Sequence, residues 1–293
     1  MKKSGIFLFI TISLFFSSCK YGLEELLFRD NSVSERANTI KYLESEGWET
    51  ETENKEYEIL VITDVHFGGE NKGKNGGRFE TEFYDWLEST YVVPGKALPL
   101  FMVSLGDIAE HGFSKEYRAY KFFTDNLESR YGIKTYNVVG NHDLYNEGWK
   151  NFENFNYPFT SFYKFRTSSF TFYFLDSASG SLGEKQLDSF ENDMRYWERG
   201  RNKIVFTHVP AYAGNFFYFV MQNTVERNRF ISACAKNDVQ ALVVGHTHDE
   251  ITSNLGFTEY NIPGYLEKKA WALLKINEVT GQVSCRCFYL NQL

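Results

Sequence analysis

The feature that most constrains this chain is where its apolar runs stop. Five short runs, at residues 59–63, 100–105, 134–139, 204–207 and 241–244, have the length and composition of buried strands. The first leads into Asp64-Val65-His66, the second into Gly106-Asp107 and the third into Gly140-Asn141-His142-Asp143. The fourth leads into His208 and the fifth into Gly245-His246-Thr247-His248. Five of the six histidines therefore stand just beyond strands, beside Asp, Asn and Gly. Loops beyond the carboxyl ends of strands in an open α/β sheet line one crevice, so these five ends are expected to converge.

Between the strands lie segments of helical periodicity at 79–89, 115–131, 184–198 and 224–236, with a further helix expected over 34–44. Alternation of this kind means layered α/β, with helices covering sheets. Residues 161–175 read as a hairpin turning near Ser168 and Ser169, and 270–290 as a second, turning over 277–281, which adds antiparallel edges to a mixed sheet. The 28 Phe and 19 Tyr are expected to pack the core, many of them on strands. No repeat or linker divides the chain, so residues 57–293 read as one domain.

The first residues follow a different logic. Lys2 and Lys3 precede an apolar run over 6–16 and then Ser17 and Ser18, the order of an export signal, and the run is short for a membrane span. Cys19 makes the segment resemble a bacterial lipobox, although Phe16 stands where Leu is usual. Residues 1–18 thus read as a signal peptide and 19–56 as a tether anchored by lipid on Cys19. The expected location is exported, on the periplasmic or cell-surface side of a membrane. Cys234, Cys285 and Cys287 allow at most one internal disulfide, and the last two, two apart on a strand, are expected as buried thiols sharing a face. A net charge of −7 argues against a protein that coats nucleic acid, though a cleft carrying cations would still draw an anionic substrate.

The strand ends carry metal chemistry. Asp64 and His66, two apart, would point the same way in extended chain. Gly106, Gly140 and Gly245 permit sharp turns or close backbone approach. Imidazole, carboxylate and amide oxygen together suit divalent Zn, Fe or Mn.

Asp-x-His, Gly-Asp, Gly-Asn-His-Asp, an isolated His and Gly-His-x-His, in this order, resemble the full signature of the calcineurin-like metallophosphoesterases over about 59–248. The resemblance implies an α/β fold, a layered sandwich of mixed β-sheets flanked by helices. It implies that Asp64, His66 and His248 hold one metal, that Asn141, His208 and His246 hold a second, and that Asp107 bridges them. His142 would face the scissile ester as general acid, with Glu110 orienting it or serving only as a surface acid. Two divalent ions would then supply a bridging hydroxide for in-line attack. His111, a candidate substrate contact, stands where the protein Ser/Thr phosphatases of the family carry a phosphate-gripping Arg, which weighs against that activity.

Two neighbouring stretches are candidates for substrate contact. One is the glycine-rich run with Lys72, Lys74 and Arg78, which reads as a phosphate-gripping loop or as an exposed one. The other is Tyr212 with the aromatic run 216–219, a leaving-group pocket or a loop anchor. The expected function is hydrolysis of a phosphomonoester or phosphodiester. The alternative is a metal-binding lipoprotein of the same fold with a binding or structural role, and a third reading is a surface protein whose aromatics hold a partner. The motifs are undamaged, which favours the enzyme. Loops rather than the metal-binding core choose the ester, so substrate and oligomeric state stay open.

Overall fold

The computed structural model describes residues 32–69, 81–215 and 218–292, so Cys19, Lys72, Lys74, Arg78, Phe216 and Phe217 lie outside the described residues. After a helical turn at Val33–Arg36, the strands and longer helices begin, in chain order, with β1 (Lys41–Tyr42), β2 (Glu56–Ile62), α1 (Thr81–Tyr91), β3 (Phe101–Ser104), α2 (Ser114–Tyr131), β4 (Lys134–Asn137) and α3 (Gly148–Phe155). They continue with β5 (Tyr163–Arg166), β6 (Phe170–Phe174), α4 (Glu184–Asn192), β7 (Asn202–Phe206), α5 (Thr224–Lys236) and β8 (Val239–Val244). The last four strands are β9 (Ile251–Asn254), β10 (Thr258–Asn261), β11 (Ala270–Asn277) and β12 (Val283–Tyr289), with a helical turn at Tyr265–Lys268 before β11.

Period-two alternation decides the layering. Ile59, Val61, Phe101 and Val103 join one core cluster, while Leu60, Ile62 and Met102 join another on the opposite face. In the second sheet Phe172, Phe174, Ile204 and Phe206 face inward, and Tyr173, Leu175, Val205 and Leu242 face outward. A five-stranded sheet, β12-β11-β2-β3-β4, thereby packs on a seven-stranded sheet, β1-β5-β6-β7-β8-β10-β9. Rings fill the space between them: Tyr163 stacks on Phe174 at 4.3 Å, and Phe101 meets Phe165 edge-on at 5.4 Å. Helices cover both outer faces. The helix α2 buries Tyr117, Tyr120, Phe123 and Leu127, one stripe at helical spacing, and each such residue contributes about 1.5–3 kcal/mol. It stops at Gly132, whose left-handed conformation lets its N–H reach the carbonyls of Glu128 and Leu127.

Two helical expectations are corrected. The helix expected over 34–44 is a single turn, Val33–Arg36, after which Lys41–Tyr42 pairs parallel with β5. Buried Arg36, whose Nε donates to Asp176 at 2.8 Å, and the open edge of β5 outweigh local helical preference. The helix expected over 184–198 is α-helical to Asn192 and then widens into a π turn at Asp193–Trp197. The extra residue lets Asp193 and Glu198, five apart, both reach the buried ammonium of Lys164. Among the cysteines, Cys234 is buried, while Cys285 and Cys287 are free and only half-buried on the inner face of β12.

Strands β2, β3 and β4 run parallel, as do β6, β7, β8 and β10. Their carboxyl ends meet at one edge of the sandwich.

Candidate metal centre

At that edge the backbone does something the sequence pattern does not announce. Asp64 and His66 both have positive φ, 52° and 45°, so a left-handed loop beyond β2 turns them inward, in place of the extended chain expected. Asp107, His246 and His248 are left-handed as well, at 50°, 68° and 57°. Such a conformation costs about 1–3 kcal/mol in a residue with a Cβ and persists only where surrounding contacts hold it. Here the holding is done by tight backbone packing. A Cβ on Gly140 would lie 2.1 Å from the N of Asp107, and one on Gly245 would lie 2.0 Å from Oγ1 of Thr63, whose hydroxyl donates to Asp64.

The side chains converge as the motif order implies. Ligand atoms of Asp64, His66 and His248 lie within 4.8 Å of one another, and so do those of Asp107, His208 and His246. Nε2 of His248 is 3.1 Å from Oδ1 of Asp64. The Nδ1–H of His208 donates to the carbonyl of Leu105 at 2.9 Å, which turns its Nε2 toward Oδ1 of Asn141 at 2.9 Å and Oδ2 of Asp107 at 3.4 Å. Nδ1 of His246 lies 3.2 Å from that same Nε2. Buried His66 directs Nε2 at Asp107 and Asp64, 3.8 and 4.0 Å away, without a hydrogen-bond partner among the described residues. Electron-donating atoms that face each other in a buried site need positive charge between them, and this donor set suits a divalent cation. The residues present therefore fit the metal ions that the motif implies.

The electrostatics of the protein alone reflect the same need. Burial pulls His208 down, but the neighbouring Asp107 carboxylate overcomes it and lifts its pKa to about 9. Burial likewise opposes His248, and the hydrogen bond to Asp64 raises it to about 10. Asp64 and Asp107 are held below the usual carboxylate range by these imidazoles in spite of their burial. Burial, reinforced by the charge of His208, lowers His246 to about 4.

His142 sits beside the cluster, its ring 4.6 Å from that of His66 and partly open to solvent. Its backbone N–H donates to Oδ1 of Asp107 at 2.8 Å, and its Nδ1 lies 2.9 Å from the carbonyl of Glu110. The carboxylate of Glu110 is placed differently from the expectation that it orients His142. Oε2 is 2.9 Å from Nδ1 of His66 and 3.9 Å from Nδ1 of His142, so the main chain of Glu110 positions His142 and its side chain serves His66. His111 is half exposed, with Nδ1 3.1 Å from Oε1 of Glu116 and its ring stacked near Phe113. Tyr212 is half-buried, and its N–H donates to Glu259 at 3.0 Å. Phe219 brings its ring 6.0 Å from that of His246.

Three further acids support the site among the described residues. Glu267 contacts Nδ1 of His248 at 3.2 Å. Glu259 accepts the N–H groups of Ala211, Tyr212 and Ala213, which fixes the loop after His208. Asp143 accepts from the N–H groups of Ile108, Ala109 and Gly140 and from the hydroxyl of Tyr117, tying two metal-motif loops together. Asp143 was visible as the last member of its motif; for Glu259 and Glu267 no local pattern marks the role.

A family model described as calcineurin-like phosphoesterase matches residues 57–250, and the chain belongs to that family. A search of curated proteins returned no match. Among solved structures, the chain is similar to a dimetal phosphatase from Danio rerio, at 14% identity and a TM-score of 0.49, covering 80% of this chain and 99% of that one. It is also similar to TT1561 of Thermus thermophilus, at 13% identity and a TM-score of 0.47, covering 80% and 100%. A 5'-nucleotidase from Candida albicans matches at 14% identity and a TM-score of 0.48, covering 80% of this chain and 51% of that one.

Proposed function

We propose that this chain is a two-metal hydrolase of phosphate esters that acts outside the cytoplasm. One observation carries the hydrolytic reading: the buried Nε2 of His66, without a hydrogen-bond partner among the described residues, faces the carboxylates of Asp64 and Asp107 at distances too long for a hydrogen bond. A buried imidazole and two buried acids spaced this way leave room for a cation. Asp64, His66 and His248 are assigned to one ion, Asn141, His208 and His246 to the other, and Asp107 to both. When bound, divalent Mn, Fe or Zn ions would supply Lewis-acid charge for the phosphoryl oxygens and lower the pKa of an attacking water.

The remaining work falls to side chains. The carbonyl of Glu110 accepts from Nδ1–H of His142, so Nε2 of His142 is the atom that carries an exchangeable proton to the leaving oxygen. Asp107 fixes the same residue through its backbone N–H, which keeps the acid in register with the ligands. Glu110 and Glu267 hold the outer nitrogens of His66 and His248, fixing which nitrogen points inward. The exported location rests on Lys2, Lys3, the apolar run 6–16 and Cys19.

The test loads the chain from Lys20 onward separately with Mn, Zn and Fe and assays p-nitrophenyl phosphate and bis-p-nitrophenyl phosphate. Turnover should appear with two metals per chain. His142→Ala should cut kcat by about 10²–10⁴-fold with metal retained, and Asp107→Asn should lose metal. A wild-type protein that binds no metal would sink the assignment. Labelling with a fatty acid that Cys19→Ala abolishes would support the anchor; equal labelling of both would remove it.

A further inference from the structure

The end of the seven-stranded sheet remote from the metal centre carries a surface that hydrolysis does not use. In the turn Asp193–Trp197, Asp193 and Met194 are buried, while Tyr196 and Trp197 are turned outward, 68% and 76% exposed. Tryptophan is highly buried on average, so one presented this openly on a fixed turn asks for an occupant. Arg195, Tyr196, Arg199, Lys203, Lys236 and Asp238 line one hollow here. Arg195, Arg199 and Lys236 are exposed and pair with no carboxylate among the described residues. The nearby acids are already engaged: Asp193 and Glu198 with Lys164, and Glu191 with Arg229. Among the described residues that leaves Asp238 as the one acid lining the hollow, in a chain whose net charge is −7.

We propose that this corner docks on a bilayer bearing anionic headgroups. Amphipathic rings with one apolar and one polar end settle at the headgroup boundary, and basic side chains beside them meet the phosphates. A free phosphate would use the cations and leave both rings idle. A second copy would oppose one positive hollow to another. Trp197 and Arg199 precede β7 and Lys236 precedes β8, whereas His208 and His246 follow those strands. The length of β7 separates the two ends by roughly 17 Å. Docking here turns the metal centre away from the bilayer, toward soluble esters. That consequence rests on the proposed hydrolytic function; the docking itself does not.

The test uses the chain from Lys20 onward, which keeps every described residue and all three core clusters. Cosedimentation is measured with vesicles of phosphatidylcholine alone and with one-third phosphatidylglycerol. Binding should require the anionic lipid, weaken with salt, and shift the emission of Trp197 to the blue, read as the difference from Trp197→Phe. Arg195→Gln with Arg199→Gln should weaken binding about 30-fold, on roughly 1 kcal/mol per basic residue. Tyr196→Ser with Trp197→Ser should weaken it roughly tenfold or more. Equal binding to both vesicle types, or variants that bind like the wild type, would overturn the proposal. So would vesicle-independent self-association that Trp197→Ser abolishes, which would make a second copy the occupant. Because no step reads hydrolysis, an inactive enzyme would leave this result intact.

Discussion

Replacing Glu110 with Gln separates two roles that this residue could have in the same site. Its Oε2 lies 2.9 Å from Nδ1 of His66 but 3.9 Å from Nδ1 of His142, beyond hydrogen-bond reach. His142 keeps its main-chain acceptor, the carbonyl of Glu110, whatever the side chain is. The substitution preserves volume and removes a charge that is 5% exposed, so its effect should pass through His66. Loss of an outer partner of a metal-bound histidine typically costs 10–100-fold in metal affinity, about 1.4–2.8 kcal/mol. We therefore expect Glu110→Gln to need about 10–100-fold more metal for half-maximal activity and to approach wild-type kcat once saturated. The assay is a metal titration of kcat, with the pH profile measured at saturating metal. A deficit that excess metal does not repair, joined to a moved basic limb, would show that Glu110 acts on His142 and would refute the reasoning.

Other consequences follow from packing and charge. Gly245→Ala places a methyl group 2.0 Å from Oγ1 of Thr63, which should displace Asp64, abolish binding of one metal by elemental analysis and lower stability by about 1–3 kcal/mol. Asp143→Ala removes the acceptor of three backbone N–H groups and of Tyr117; unfolding by denaturant should show a loss of about 3 kcal/mol or more, and retention of full stability would contradict the tie described. Glu198 is fully buried among Lys164, Arg166 and Thr171, so Glu198→Gln should cost about 3 kcal/mol at neutral pH, Lys164 keeping Asp193. Burial raises the pKa of Glu198, but its cationic partners outweigh that and lower it below 4.5, so its contribution is present above that pH and is lost as pH falls through the lowered value. The gap between wild type and variant should close in acid, and a gap independent of pH would contradict this account.

The candidate donors and their order were legible in the sequence alone. Apolar runs of strand length, each ending in Asp, Asn, Gly or His, carry both the parallel α/β plan and the chemistry of its crevice, because strand burial and ligand identity are written in short contiguous segments. The helices 115–131 and 224–236 were legible for the same reason, since each shows one apolar stripe. Tertiary structure decided whatever depends on partners far along the chain. Lys41–Tyr42 becomes a strand because β5 offers an edge more than a hundred residues away. The π turn forms because Asp193 and Glu198 share Lys164. Asp64 and His66 turn inward through left-handed backbone, with Asp64 packed against Gly245, not by extended spacing. Glu110 serves His66 with its side chain and His142 with its carbonyl, a division that only the folded loop could make. Propensity and periodicity act over one turn or one strand, whereas a buried charge takes the partner that the packed chain brings within 3 Å of it.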